Sequence, residues 1–217
     1  MTDLQFIAKQ LRKPSGNFAP EIAAKIGKGN RPLYDLMISF LEVHHHDSIL
    51  EIGYGSGTHF SNLFAKANNL QVNGIDYSPE MTNLAVLNNS SFVENEQLNL
   101  QTGSSEHIPF TDNSYDIVFC NMVIYFWDDP EVHLSEIRRV LKTGGKFYTG
   151  MRTRESMLGF PFTKFDFNLY KVEEWCSILE SNGFKAVKEI RQLDAVFDFD
   201  DDGNSLRLES VCIEAEA

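Results

Sequence analysis

The stretch Ser48–Phe60, SILEIGYGSGTHF, restricts the folding of this chain more than any other. An apolar run ends on an acid, Glu51, and glycines follow at alternate positions, Gly53, Gly55 and Gly57. His59–Ala67 then reads as a helix with Phe60, Leu63 and Phe64 on one face. A tight strand-to-helix turn needs one glycine, or two, to reach left-handed backbone angles. Three of them predict a main chain that something else must approach closely.

The pattern around this stretch alternates. Ser48–Ile52, Gln71–Asp76, Gln97–Thr102, Tyr115–Asn121 and Lys146–Met151 read as strands with helices between them. Ser78 caps one helix with Pro79 at its first position, and Asp129-Pro130 repeats the signal for a helix to Leu141, ended by Thr143-Gly144-Gly145. Val172–Asn182 is a further helix, stopped by Gly183. Lys185–Leu193 and Leu206–Glu214 close the chain as two strands joined by an acidic turn, DFDDDGNS. The expected fold is α/β and Rossmann-like: a seven-stranded, mostly parallel sheet with an antiparallel terminal hairpin and helices on both faces. Residues 44–217 form this domain. Residues 1–43 form an N-terminal helical segment, with short helices near Leu4–Leu11 and Ala19–Ile26 and a firmer one after Pro32.

In such sheets ligands bind beyond the carboxyl ends of the strands. The glycine segment lies there, and so does Asp76, about 20 residues further on, the spacing of an acid that accepts hydrogen bonds from ribose hydroxyls. The pair predicts an adenosine-type site. The dinucleotide fingerprint GxGxxG is not met, because the third glycine comes one position early, and no Walker loop is present. A ligand that carries adenosine without phosphate fits better.

The charge of −12 and the absence of a Lys/Arg cluster argue against a nucleic-acid partner. Cys120, Cys176 and Cys212 are scattered and form no CxxC, which fits a reducing cytoplasmic setting and argues against a metal site. No apolar run reaches the about 18 residues of a membrane span, and the N-terminus has no apolar leader.

Four ordered motifs, LEIGYGSG, GIDYSPEM, GSSEHIPFTDNSYDIVFCNMVIYFWDDP and EIRRVLKTGGKFY, together resemble the class I S-adenosylmethionine-dependent methyltransferases. The likeness is greatest to the branch that includes ubiquinone/menaquinone-biosynthesis and many small-molecule methyltransferases. It implies S-adenosyl-L-methionine as cofactor and a small-molecule methyl acceptor. It also implies roles for matching positions. Glu51, Gly53, Gly55 and Gly57 wrap the methionine and adenosine portions, with Tyr54 between the glycines as a further contact. Asp76 holds the ribose, Tyr77 lies beside adenine, and Met81 packs against the base. Ser104, Ser105 and Glu106 border the adenine, where Ser104 stands for the family's usual Asp. Asn121 and Met122 lie at the methionine end, and the helix bearing Asn30, Arg31 and Tyr34 folds over the cofactor. The stretch after Tyr115–Asn121 lacks the Asn-Pro-Pro-Tyr run of many nucleic-acid and protein amine methyltransferases.

Other residues have two readings each. His44-His45-His46 point to alternate faces of an extended segment, so a solvated loop is favoured over a metal site. His59 either packs or lines the site, and His107 and His133 fit the surface. Tyr125, Trp127 and Asp128 either line an acceptor pocket or pack, and Tyr125 is the one candidate catalytic base. Phe160, Phe162, Phe165, Phe167 and Tyr170 form either an aromatic lid or ordinary packing. Two competing functions remain open at this level, an NAD(P)-binding oxidoreductase and a non-catalytic S-adenosylmethionine-binding protein.

Overall fold

A computed structural model describes residues 3–198 and 205–217. The chain begins with helices α1 (Leu4–Arg12) and α2 (Ala19–Phe40). The alternating part follows as β1 (Ser48–Ile52), α3 (Phe60–Phe64), β2 (Gln71–Asp76), α4 (Pro79–Asn88), α5 (Ser90–Glu94), β3 (Leu98–Thr102), β4 (Tyr115–Asn121), α6 (Pro130–Val140) and β5 (Leu141–Arg152). It closes with α7 (Arg154–Leu158), α8 (Val172–Ser181), β6 (Lys185–Asp198) and β7 (Ser205–Glu216).

The sheet order is β3-β2-β1-β4-β5-β7-β6. Strands β1 to β5 are parallel, and β7 runs antiparallel to both β5 and β6. The chain winds outward from β1 to β3, then returns to place β4 on the other side of β1. The connections after β1 and β4 therefore leave in opposite directions and open a crevice at the carboxyl ends of those strands. The expected acidic turn of the hairpin lies mainly in residues 199–204, outside the described residues.

Successive residues of each strand serve opposite faces. Leu50, Ile52, Val118, Cys120 and Phe147 share a core with Leu134, Ile137 and Val140 of α6 and Trp175 and Leu179 of α8. Ile49, Phe119 and Tyr148 pack on the other face against Leu33, Leu36, Met37 and Ile38 of α2 and Phe60 and Leu63 of α3. Burial on both faces is why β1 and β4 read as continuous apolar runs. Among the described residues no helix is long and apolar enough to cross a membrane.

Several elements differ from expectation. Helix α2 is continuous through Gly27, Gly29 and Pro32 where two helices were expected. Interior proline costs about 3 kcal/mol, but burying Leu33, Leu36, Met37 and Ile38 contributes about 1.5–3 kcal/mol each. Helix α3 covers only Phe60–Phe64. Helix α6 stops at Val140, and Leu141 already pairs with Tyr115; Gly144, at φ +74°, sits in a register shift within β5 and not at a helix cap. The predicted caps are present: Ser78 Oγ accepts from Met81 N at 3.2 Å and Asp129 Oδ1 from Glu131 N at 3.1 Å.

One ionic contact ties the sheet edge to α2. Arg152, at the end of β5, is buried and pairs with buried Asp194 of β6. Its Nη1 also lies 3.3 Å from Ser210 Oγ of β7, and its Nη2 donates to the Gly29 carbonyl at 2.8 Å.

Candidate functional site

The glycines after β1 take φ of +76°, +56° and +65° at 53, 55 and 57. Two are required by protein neighbours. A Cβ at 53 would lie 2.4 Å from Val123 Cγ2, and one at 57 would lie 2.9 Å from Asn89 Nδ2. Apart from its chain neighbours, a Cβ at Gly55 would meet nothing within 4 Å among the described residues. The loop is therefore bare towards open space at Gly55, where a ligand can lie on the main chain. Tyr54, between these glycines, turns inward. Its ring covers Gly74, and its hydroxyl lies 2.8 Å from Thr82 Oγ1 and 3.1 Å from the Gln101 carbonyl.

Asp76 holds the loop. Its Oδ2 accepts from Gly55 N and its Oδ1 from Ser78 N, both at 2.8 Å. Each oxygen keeps a further lone pair. Burial raises its pKa to about 6, against the lowering effect of those two hydrogen bonds. Tyr77 is exposed, with Lys13 Nζ 4.2 Å above its ring, while Met81 is buried with Ala19 and Ala23 of α2.

Beyond β3, Ser104 Oγ is 3.2 Å from Glu106 Oε2. Ser105 Oγ lies 2.7 Å from His133 Nδ1, and His133 is stacked on Trp127 at 4.6 Å. His133 is thus buried, not on the surface as expected, because it shares the inward stripe of α6 with Leu134, Ile137 and Val140. His107 is exposed, as are His44 and His46.

Three buried side-chain polar atoms lack a hydrogen-bond partner among the described residues: Glu51 Oε1, Asn121 Oδ1 and Asn121 Nδ2. Buried polar groups are overwhelmingly paired in folded proteins, so these mark a place for a polar ligand. Glu51 pairs with Phe119 across β1 and β4, and Asn121 lies two residues on, so both side chains emerge on the α2 face. A Cβ at Gly150 would lie 1.8 Å from Asn121 Oδ1, so the amide rests on bare backbone. Met122 follows at φ +59°, its N–H donating to the Gly150 carbonyl at 2.9 Å. Glu51 Oε2 is 2.6 Å from His59 Nε2, and the Tyr34 ring stacks on His59 at 4.3 Å. Burial, then the charges of Glu51 and Asp76, pushes the Tyr34 hydroxyl well above its usual range. Sequence reading missed the bond between His59 and Glu51, since a pairing across a loop has no periodic signature.

A free carboxylate oxygen and a free amide are the complement of an aminoacyl group, which carries an ammonium and a carboxylate. With Asp76 and the opening at Gly55, this donor and acceptor set fits S-adenosylmethionine.

Tyr125 is buried, its hydroxyl donating to the Arg152 carbonyl at 2.8 Å and accepting from Arg152 N at 2.7 Å. Burial also raises its pKa, and the two hydrogen bonds tether the segment after β4 to β5. Tyr125→Phe is expected to lower stability by about 1–3 kcal/mol in a urea melt and to leave cofactor affinity unchanged. Loss of methyl transfer at unchanged stability would favour the catalytic role. Trp127 is buried, and exposed Asp128 pairs with Arg12 of α1 at 3.0 Å. Phe162 packs on Phe167 at 5.8 Å, and Phe167 on Phe126 at 4.8 Å, which makes this segment part of the body. Clefts of about 490 Å³ beside Leu70 and Gln97 and about 260 Å³ beside Asp47 and Lys142 lie at the amino ends of the strands, away from all these groups. No group of His, Cys, Asp and Glu among the described residues could hold a metal ion.

Residues 50–149 match a family model described as a methyltransferase domain. The uncharacterized methyltransferase YdaC of Bacillus subtilis is 32% identical over 127 residues, covering 58% of this chain and 68% of YdaC. Another curated relative, 33% identical, is spanned over 65% of its own length, just under two thirds. A chain of the complex between the Haloferax volcanii Trm112 methyltransferase activator and a candidate methyltransferase superposes with a TM-score of 0.73 at 21% identity, covering 90% of this chain and 95% of that one. A SAM-dependent methyltransferase from Aquifex aeolicus gives a TM-score of 0.68 at 19% identity, over 91% and 97%. At these identities the two structures speak to fold.

Proposed function

This chain belongs to the class I S-adenosylmethionine-dependent methyltransferases, and from that membership we propose that it binds S-adenosylmethionine and transfers its methyl group to a small-molecule acceptor. The unpartnered atoms of Glu51 and Asn121 carry the reading. Glu51 Oε1 accepts from the ammonium of the cofactor, and the Asn121 amide meets the aminoacyl end beside Met122. The main chain of Gly53, Gly55 and Gly57 lies along the ligand. Asp76 accepts from the ribose hydroxyls with its remaining lone pairs. Tyr77, Met81 and the loop of Ser104, Ser105 and Glu106 surround the adenine.

Once bound, the cofactor supplies an already activated methyl group, so the task of the chain is to bind, orient and exclude water. No side chain is assigned as a base. The acidic balance, −12, supports a small acceptor over a polyanion. A thermal-shift comparison tests the cofactor assignment. S-adenosylhomocysteine is expected to raise the midpoint by several degrees, roughly the shift produced by about 2–3 kcal/mol of linked binding, and NAD(H) to leave it unchanged. Stabilisation by NAD(H) alone would favour the oxidoreductase. Binding without methylation of any component of a metabolite extract would favour the non-catalytic alternative. The Haloferax complex suggests a further one, a chain that needs a protein activator; labelled product from the purified chain alone would dismiss it.

Residues 1–43 form the cover of this site. Ser78 Oγ donates to the Pro14 carbonyl at 2.5 Å, Gly16 N donates to Glu80 at 3.0 Å, and Arg12 reaches Asp128. These contacts run along the loops after β2 and β4. S-adenosylhomocysteine is therefore expected to slow tryptic cleavage after Lys9 and Arg12 by about tenfold, as opening of a ligand-tied segment is suppressed. Cleavage at an unchanged rate would remove the segment from the cover.

A further inference from the structure

The carboxylate of Glu51 is wholly buried and only half satisfied. Oε2 is held by His59 Nε2 at 2.6 Å, and Oε1 has no partner among the described residues. His59 is held in turn, with the Tyr34 ring nearly parallel to it at 4.3 Å and the Phe60 ring at 4.8 Å. We propose that His59 is a positioning residue: its hydrogen bond fixes the rotation of the Glu51 carboxylate so that Oε1 is kept for the ammonium of the cofactor, and Tyr34 of α2 locks the imidazole in that pose. The inference rests on the assignment of this site as the cofactor pocket.

The last torsion of a glutamate is soft, so an unheld carboxylate would share its oxygens between any donors in reach. A short charge-assisted bond to one oxygen removes that freedom. The contact with Tyr34 then makes recognition of the aminoacyl end depend on the seating of α2, the helix that also receives the Arg152 guanidinium. A merely structural pairing of His59 with Glu51 has a different signature. It would pin α3 to β1, and its loss would weaken every ligand of the pocket alike.

Calorimetric titration separates the two. The ligands are S-adenosylhomocysteine and 5′-methylthioadenosine, which shares the adenosine and sulfur but lacks the aminoacyl group. His59→Leu is expected to weaken S-adenosylhomocysteine about tenfold or more and 5′-methylthioadenosine less than about twofold, the size of one lost charge-assisted contact. His59→Gln, which keeps a side-chain N–H donor, should recover part of the loss. Tyr34→Leu should change the ratio in the same direction by a smaller factor. Equal losses for both ligands, or an unchanged affinity ratio, would overturn the proposal. Should His59→Leu fail to fold, the ratios for His59→Gln and Tyr34→Leu decide by themselves. Wild-type protein that binds neither ligand would instead overturn the cofactor assignment and the proposal with it.

Discussion

Gly55→Val is expected to abolish measurable S-adenosylhomocysteine binding while the protein stays folded. At φ +56° a β-branched residue is strained by about 1–2 kcal/mol, a fraction of the stability of a domain of this size. Apart from its chain neighbours, no described residue has an atom within 4 Å of the added Cβ, so the Cβ itself does not press on the core. The valine side chain instead fills the volume in which the ligand meets the main chain. Calorimetry and a thermal melt read the two effects separately. Gly55→Ala refines the test, because it adds the same left-handed strain with only one methyl group. If Gly55→Val bound normally, the open side of the loop would not be where the cofactor runs. Gly53→Ala should behave differently, losing stability through its collision with Val123.

Asp76→Ala should weaken binding by about 3 kcal/mol, more than a hundredfold in dissociation constant. The carboxylate acts twice, on the ribose hydroxyls and on the Gly55 N–H that shapes the loop. Its loss removes a ligand contact and loosens the surface beneath it. The same group sets a pH dependence. Its pKa is raised by burial to about 6, so the unliganded fold disfavours the charged form. Its contribution to unliganded stability is therefore most favourable below about 4 and declines as pH rises through about 6. Cofactor binding has the opposite sign, since the ribose hydroxyls need the ionised acceptor. Affinity should hold above pH 6 and fall up to about tenfold per pH unit below it. Titrations between pH 5 and 8 that show no such fall, or the same fall in Asp76→Ala, would dissociate Asp76 from the ribose.

Much of the framework was legible because its signals are local. Ser48–Ile52, Gln71–Asp76 and Tyr115–Asn121 begin and end as expected, since strands buried on both faces are apolar runs bounded by turn residues. The two proline-preceding caps were equally plain. Helix α2 was not legible. Gly27, Gly29 and Pro32 are helix-breaking signals, and only the sheet on which Leu33 and Met37 pack outweighs them. Within the candidate site, the hydrogen bond from Gly55 N to Asp76 joins the two features that spacing singled out. The inward turn of Tyr54, the burial of His133 and the commitment of the Tyr125 hydroxyl to Arg152 were not legible. Each depends on a partner distant in the chain, Gly74, Ser105 and Arg152 respectively. For His133 a clue existed, since it lies four residues before Ile137 on one helical stripe.

The Arg152–Asp194 pair has a consequence for how this protein can change over generations. Replacing either member alone strands an ion in a dry interior, a loss of about 3–5 kcal/mol, whereas a matched apolar couple would be tolerated or even stabilising. Drift at 152 and 194 should therefore be concerted. Among descendants of this chain the two positions should hold both charges or neither, and selection for heat resistance in a randomised pair should favour the uncharged solution.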